Sequence, residues 1–210
     1  MTEREANPIA GGASAELRAL ATAYEFLALS FRHPGPELAG AVASGEWADA
    51  AREVAAALGL ALPDGWDAGL EPYAGRLFVG APEPAVSPSE GVWRAADDGV
   101  QALLFVNPHS MAVERFVRGC GLGRPGGTNE PLDHAATELE LLQWLCMIEC
   151  GLVAAPEGAE PPHGSWAAAR ARFLEDHART WMPRFAEAAA AESREPLFRA
   201  AAVMLGAVIS

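Results

Sequence analysis

The sequence predicts an all-α fold, a single-domain multi-helix bundle with no β-sheet. Apolar residues recur at helical spacing along most of the chain, and proline and glycine interrupt them at intervals. No run of β-branched residues alternates with a period of two. Half of the 210 residues are hydrophobic, so the chain can bury a substantial core. We expect one domain over residues 1–210, built from about ten helices.

The first helix is expected to begin after Ser14, a plausible N-cap, and to end at Phe31. Between them, apolar residues recur every three or four positions, and Pro34 then stops the pattern. Residues 1–13 contain two glutamates and no apolar run, so we expect a flexible segment and no secretory signal.

Shorter helical patterns follow in the middle of the chain. Alanine-rich patterns cover 46–58 and 67–79, and the proline-rich stretch at 80–91 is predicted to be a loop. Helical patterning then resumes near Asp97. Asn107-Pro108 resembles a cap followed by proline in the first turn of a further helix.

That further helix is expected to end at the glycine-rich "GCGLGRPGG", which leads into a loop at 121–130. Glycine-rich stretches also form phosphate-binding loops. Here no strand-like run precedes the glycines and no Gly-Lys-Ser/Thr follows them, so we interpret the stretch as a connector.

A central helix is predicted between Leu132 and Cys150, because apolar residues cover nearly its whole circumference. A loop at 152–164 follows. Ser165 then opens a helix that runs through Trp181. Prolines begin the next two helices, at Pro183 and Pro196.

The net charge of the chain indicates which kinds of binding partner it favours. The net charge is −13, with 28 acidic and 15 basic residues, and every basic residue is arginine. Such a surface repels nucleic acid and anionic lipid and attracts cationic partners. The three cysteines leave one unpaired in any disulfide scheme, which favours a reducing cytoplasm. The apolar "PLFRAAAVMLGAVI" near the end is too short to span a bilayer.

The pair Asp133-His134 in "NEPLDHAATELELLQWL" is the main candidate site. It is expected in the first turn of the central helix, with Glu138 one turn after His134 on the same face. An aspartate there interacts favourably with the helix dipole, so a purely structural role is one interpretation. A contact for a docked partner is another.

Catalytic and metal-binding roles have weaker support in the sequence. His134 and Glu138 supply at most two of the three or four ligands that a metal needs. Cys146 and Cys150 share a face of an apolar helix, where thiols usually serve packing. Cys120 lies near a helix C-terminus, whereas a nucleophilic thiolate is stabilised at an N-terminus. We therefore expect a protein that is not an enzyme.

Three ordered blocks resemble the TorD/DmsD family of molybdoenzyme-specific chaperones. "EPLDH" followed by "ELELL" is similar to the family's Glu-Pro-x-Asp-His signature, and "YAGRLFVG…SPSEGVW" is similar to its Leu-Phe-x-Gly segment, proline-rich loop and closing aromatic. "FLEDHARTWMPRF" matches its Phe-x-x-x-His-x-x-x-Trp-x-x-x-Phe spacing. The resemblance runs from about Tyr73 to the C-terminus.

The resemblance implies an all-helical cytoplasmic chaperone that binds the twin-arginine signal peptide of a molybdopterin-containing oxidoreductase and delays export until the cofactor is loaded. The receptor of such a peptide needs an acidic rim beside an apolar groove. Glu130, Asp133, Glu138 and Glu140 can supply the rim.

The resemblance implies that the family's peptide-binding positions correspond to six residues here: Asp133 and His134 in the signature, Leu77 and Phe78, and Pro88 and Trp93. The expected site consists of these six residues together with Glu130 and Glu138. Ser89 and Gly91 stand where the family usually has a bulky aromatic and a small hydroxyl residue. His177 and Trp181 are interpreted as packing residues.

Two rival functions stay open at this stage. One is an assembly chaperone of the nitrate-reductase type, whose client N-terminus need not be an exported signal. The other is a helical metal-dependent hydrolase built on His134, Glu138 and a distant histidine. No cofactor is expected. Weak GTP binding is attributed to some of the family, but nothing here resembles a G motif. The resemblance leaves open a monomer or a domain-swapped dimer.

Overall fold

The computed structural model describes residues 8–33, 35–70, 77–80, 83–99, 108–123 and 131–210. Within these ranges the regular elements are helical: α1 (Pro8–Phe31), α2 (Pro36–Ser44), α3 (Glu46–Ala57), α4 (Glu90–Asp97), α5 (Pro108–Gly119), α6 (Ala135–Glu149), α7 (Trp166–Phe173), α8 (Arg179–Glu192) and α9 (Pro196–Ile209). The described part of the chain contains no strand, and a single antiparallel bridge joins Ser89 to His134. The predicted all-α bundle is confirmed.

Helix α6 lies at the centre of the bundle, as its all-round hydrophobicity predicts. Its pairing with α1 is the most extensive among the described helices, and α7 also packs against it. Leu139, Leu142, Leu145 and Cys146 are fully buried along its length. Helices α8 and α9 form the second large pairing, and α9 also contacts α1.

Helix α1 begins earlier than the sequence predicts. It starts at Pro8, so Ser14 lies inside the helix rather than capping it, and residues 8–13 are helical. Proline fits the first turn of a helix because its missing N–H would have no partner there. A serine is a weaker signal, because it marks a cap only when the preceding residues are not helical.

Helices α3 and α5 and the cap of α7 follow the sequence closely. The 46–58 pattern becomes α3, Pro108 opens α5, and Ser165 caps α7 by accepting a hydrogen bond from the N–H of Ala168 at 3.1 Å. The 67–79 pattern is wrong in its described part. Gly65 and Gly69 adopt left-handed φ angles of 67° and 61°, and these favour turns over a helix.

The boundaries around Pro183 and Asp97 also differ from the predictions. A π-helical turn, Leu174–Ala178, joins α7 to α8, and α8 continues through Pro183 without a break. Helix α4 ends at Asp97 instead of beginning near it, so the predicted 80–91 loop gives way to helix at Glu90. The short helix α2 has no counterpart among the predictions. Residue 107, the expected cap of α5, lies outside the described ranges.

Candidate functional site: a buried signature and an open groove

The signature joins α6 to the start of α4. Asp133 is only 3% exposed, and its Oδ2 accepts a hydrogen bond from the N–H of Gly91 at 3.1 Å. Its backbone carbonyl accepts one from the N–H of Glu90 at 2.9 Å, while the N–H of Ala135 donates to the carbonyl of Pro88 at 2.8 Å. The carboxylate therefore caps the first turn of α4, where it also meets the positive end of that helix dipole.

His134 is the residue that caps α6. Its backbone is extended, and its Nδ1 accepts a hydrogen bond from the N–H of Ala136 at 3.2 Å. The pair Asp133-His134 thus precedes α6 rather than forming its first turn, which corrects the sequence-based placement. The Asp133 side chain thus caps the N-terminus of α4, and the His134 side chain caps that of α6.

Glu138 points into the core instead of contributing to a rim. It is fully buried, and its Oε2 accepts a hydrogen bond from the indole N–H of Trp181 at 3.2 Å. Burial, reinforced by the negative charges of Glu90 and Asp133, raises the pKa of the Glu138 carboxyl well above its usual value. Glu138 therefore lies in the core with a raised pKa, which corrects its assignment to the acidic rim.

Glu90 is the second fully buried glutamate of this cluster, and its pKa is shifted in the opposite direction. It lies 3.0 Å from His177 Nδ1 and accepts a hydrogen bond from Arg94 Nη1 at 2.7 Å. Burial alone would raise the pKa of the Glu90 carboxyl, but His177 and Arg94 outweigh burial and hold the pKa below its usual value. Arg94 also donates to the carbonyl of Asp176 at 2.9 Å. These bonds attach α4 to the π turn.

We call Glu90, Asp133, Glu138, His177 and Trp181 the buried polar cluster. Four of its members stand out in the sequence, but Glu90 does not, because it stands in a proline-rich stretch with no local signal of burial. His177 and Trp181 are buried packing residues, as predicted. The cluster connects α4, α6, the π turn and α8, so its role in this structure is architectural.

Leu77 and Phe78 lie in the core rather than along a groove. Each is 7% exposed. The Phe78 ring centroid lies 5.7 Å from that of Phe31, 5.7 Å from that of Phe185 and 5.3 Å from that of Phe198. The irregular segment thus places an aromatic side chain between the helices, and this burial differs from the expected place of Leu77 and Phe78 among the peptide-binding residues.

Pro88 and Trp93 are half-buried near the start of α4. The indole N–H of Trp93 donates to the carbonyl of Ser87 at 2.8 Å, and the guanidinium of Arg184 lies 5.9 Å from the ring centroid. Both residues keep some exposed surface, so they stay predicted peptide contacts. Glu130 lies outside the described residues.

An open groove of about 750 Å³ lies where the ends of α1 and α5 and the start of α2 meet α6. Its floor is apolar: Ala28, Leu29, Leu38, Val117, Leu122, Leu132, Leu141 and Trp144. Three carboxylates, those of Glu25, Glu37 and Glu140, also line it, together with Arg32 and His33. Glu140 is the one described member of the expected rim that lines this groove. Leu132 belongs to the signature, so the groove directly adjoins Asp133 and His134 in the chain.

A comparison with protein families places the chain. Residues 44–187 match the family described as nitrate reductase delta subunit. The chain belongs to this family. The TorD/DmsD resemblance is confirmed with it, and membership supports the role of a molybdoenzyme assembly chaperone. No curated protein sequence matches the chain.

The family match covers α3 to α7 and the part of α8 up to 187, and therefore the whole buried polar cluster. It also covers the α5 and α6 walls of the groove. Another wall of the groove lies before the matched range; it is formed by Glu25 on α1, Arg32 directly after α1, and Glu37 on α2.

The side chains on which a hydrolase would depend already make other contacts in this structure. His134 Nδ1 accepts from a backbone N–H, and Glu138 is bonded to an indole. Burial raises the pKa of the Cys120 thiol to about 11, which disfavours the thiolate. Across the described ranges, no group of three or more His, Cys, Asp and Glu side chains is arranged to hold a metal ion. None of the described helices is long and apolar enough to cross a membrane.

Proposed function

We propose that this family member binds the twin-arginine signal segment of a molybdopterin-containing oxidoreductase in the cytoplasm. Binding shields the precursor and delays its export until the cofactor is in place. The protein acts by binding and not by catalysis, and it needs no cofactor of its own.

The observation that carries this proposal is the groove, which combines an apolar floor with a carboxylate rim. A twin-arginine signal presents two guanidinium groups beside an apolar run, so it needs both surfaces at once. Arginine forms its strongest contacts with carboxylates, through paired charge-assisted hydrogen bonds. The net charge of −13 adds a long-range attraction for a cationic segment.

Particular residues have distinct roles in this proposal. Glu25 and Glu140 bind the arginine pair, and Leu29, Leu141 and Trp144 contact the apolar run. Asp133 and His134 act as positioning residues, because they fix the segment that carries Leu132 into the groove. Pro88 and Trp93, on the α4 side of the signature, are proposed as a further contact area.

A second candidate function has a specific observation in its favour, because the matched family is described as nitrate reductase delta subunit. In this alternative the client is a catalytic subunit that is not exported, and its N-terminus lacks the arginine pair. The same groove then recognises mainly an apolar segment. The effect of the arginines on affinity separates the two functions.

The test is a calorimetric titration of the full chain with a peptide that carries Arg-Arg followed by an apolar run. The matched peptide replaces both arginines with glutamine. We expect the glutamine peptide to bind more weakly than the arginine peptide. Added salt should lower the affinity for the arginine peptide only in part, because the contacts are charged but partly buried. Equal affinities for the two peptides would contradict the twin-arginine proposal and favour the second candidate.

A further inference from the structure

An arginine of the chain itself occupies the carboxylate rim of the groove. Arg32 follows the last residue of α1, and its Nη1 lies 2.7 Å from Glu37 Oε2. Its Nη2 donates to Glu140 Oε1, so one guanidinium bridges carboxylates from α2 and α6. All three residues line the groove. This is the arrangement in which a client arginine would be held.

The burial of the two carboxylates differs in a way that matters for binding. The Glu140 side chain is 22% exposed and that of Glu37 is 68% exposed, while Arg32 itself is 35% exposed. An exposed ion pair contributes little to stability. A largely buried carboxylate is destabilising when it has no cation beside it. Glu140 therefore needs a guanidinium, but nothing in its chemistry requires that the guanidinium belong to Arg32.

We infer that Arg32 is a built-in placeholder, which occupies the Glu37–Glu140 site until an arginine of the client replaces it. This inference rests on the proposed function and adds its regulation. The exchange preserves the ion pair of Glu140, so it proceeds without leaving a buried charge unpaired. The released Arg32 side chain has a path to solvent because it is already part-exposed at the end of α1.

The placeholder has two consequences for recognition. It lowers the affinity for every arginine-bearing peptide, since binding must first displace Arg32. It also rejects weak mimics, because a lysine or an apolar side chain cannot replace both of the hydrogen bonds that the planar guanidinium makes. Glu25 lies two helical turns before Arg32 on the same face of α1, where it is exposed and can receive the second arginine of the pair.

The decisive variant is Arg32→Gln, titrated with the Arg-Arg peptide and with the matched Gln-Gln peptide. We expect the affinity for the Arg-Arg peptide to rise roughly threefold to tenfold, as for the removal of one competing, partly exposed ion pair. The affinity for the Gln-Gln peptide should not change, because that peptide does not compete for the carboxylates. Arg32→Lys keeps a charge on α1 but loses the planar fork, so it should give a smaller rise.

A matched control exists on the same central helix. Arg170 donates to Glu149, near the end of α6, with side-chain exposures of 20% and 18%, and neither residue lines the groove. Arg170→Gln therefore removes a comparably buried pair from α6. It should lower the melting temperature while leaving both peptide affinities unchanged.

The outcomes separate the two proposals. If the original protein binds the Arg-Arg peptide more tightly than the Gln-Gln peptide, but Arg32→Gln leaves that affinity unchanged or lowers it, the placeholder is wrong and the proposed function stands. If the original protein does not distinguish the peptides, both proposals fail. If neither Arg32 variant folds while Arg170→Gln does, Arg32 is a structural residue and the placeholder is again wrong.

Discussion

At the scale of single residues, the Asp133 side chain caps a helix, and we propose that it acts on the groove without touching the client peptide. Its carboxylate is almost fully buried and caps a helix that begins 43 positions earlier in the chain, at Glu90. Its neighbour Leu132 lines the groove, so we propose that Asp133 affects the groove through Leu132. The main role of the Asp133 carboxylate in this structure is therefore to stabilise the start of α4.

Asp133→Asn tests this assignment. The substitution replaces a carboxylate at the N-terminus of α4 with a neutral amide, so we expect the free energy of unfolding to fall by about 0.5–1 kcal/mol. The affinity for the Arg-Arg peptide should stay nearly unchanged. Chemical denaturation and a calorimetric titration of the same variant measure both quantities. Unchanged stability with weakened binding would instead make Asp133 a direct contact.

Glu138 gives the buried polar cluster a dependence on pH with a definite sign. Its pKa is raised in the folded state, so the unfolded chain releases this proton above its usual pKa of 4.5 while the folded chain keeps it. The contribution of this group to stability is thus complete below that pH. It is lost as the pH rises towards the folded pKa.

Glu138→Gln should remove this loss while keeping an acceptor for the indole of Trp181. The stability difference between the variant and the original protein should shift in favour of the variant as the pH rises. The shift is at most about 1.4 kcal/mol for each pH unit between the two pKa values. Denaturation curves at pH 5, 7 and 8 measure it. A difference that is constant across this range would show that Glu138 has an ordinary pKa.

At the scale of elements, the structure separates what local patterns predict from what distant partners decide. Helix α6 was predictable because apolar residues on every face require burial on every side. Ser165 was predictable because a cap and its partner lie three residues apart. Helix α4 was not predictable in the same way, because Gly91 weakens its first turn and the capping carboxylate of Asp133 comes from another part of the chain.

The candidate site also has features that the sequence predicts and features that only tertiary packing reveals. The sequence identifies Asp133, His134 and Glu138 as unusual, because charged groups beside an apolar helix stand out. It does not reveal the direction in which they point. It also misses the contribution of α1 and α2, since Arg32 meets Glu140 only after α1 packs against α6.

The two aromatic residues that flank the proline-rich loop should respond differently to truncation. Phe78→Ala should lower the free energy of unfolding by about 3–5 kcal/mol, because the ring fills the space between Phe31, Phe185 and Phe198. The Trp93→Ala variant should fold, since the residue is half-buried at the start of α4. Its affinity for the Arg-Arg peptide should be lower than that of the original protein. Circular dichroism and peptide titration measure these effects. A folded Phe78→Ala variant with weakened binding would show that Phe78 contacts the peptide.

At the scale of the whole molecule, charge and shape act together. The chain carries no lysine and an excess of carboxylates, and three of those carboxylates line a groove that also has an apolar floor. The buried polar cluster joins α4, α6, the π turn and α8, while the groove lies where α1, α2 and α5 meet α6. The architecture and the proposed recognition thus both depend on the central helix α6.

The position of the bound peptide tests the central claim most directly. An Arg-Arg peptide with a benzophenone side chain in its apolar run can be cross-linked to the protein by light, and the attachment sites can be mapped by mass spectrometry. We expect attachment to α1 and α6 at groove residues such as Leu29 and Trp144, and competition by the unlabelled Arg-Arg peptide. Competable attachment confined to α4 around Trp93, with the groove unlabelled, would contradict the proposed binding site.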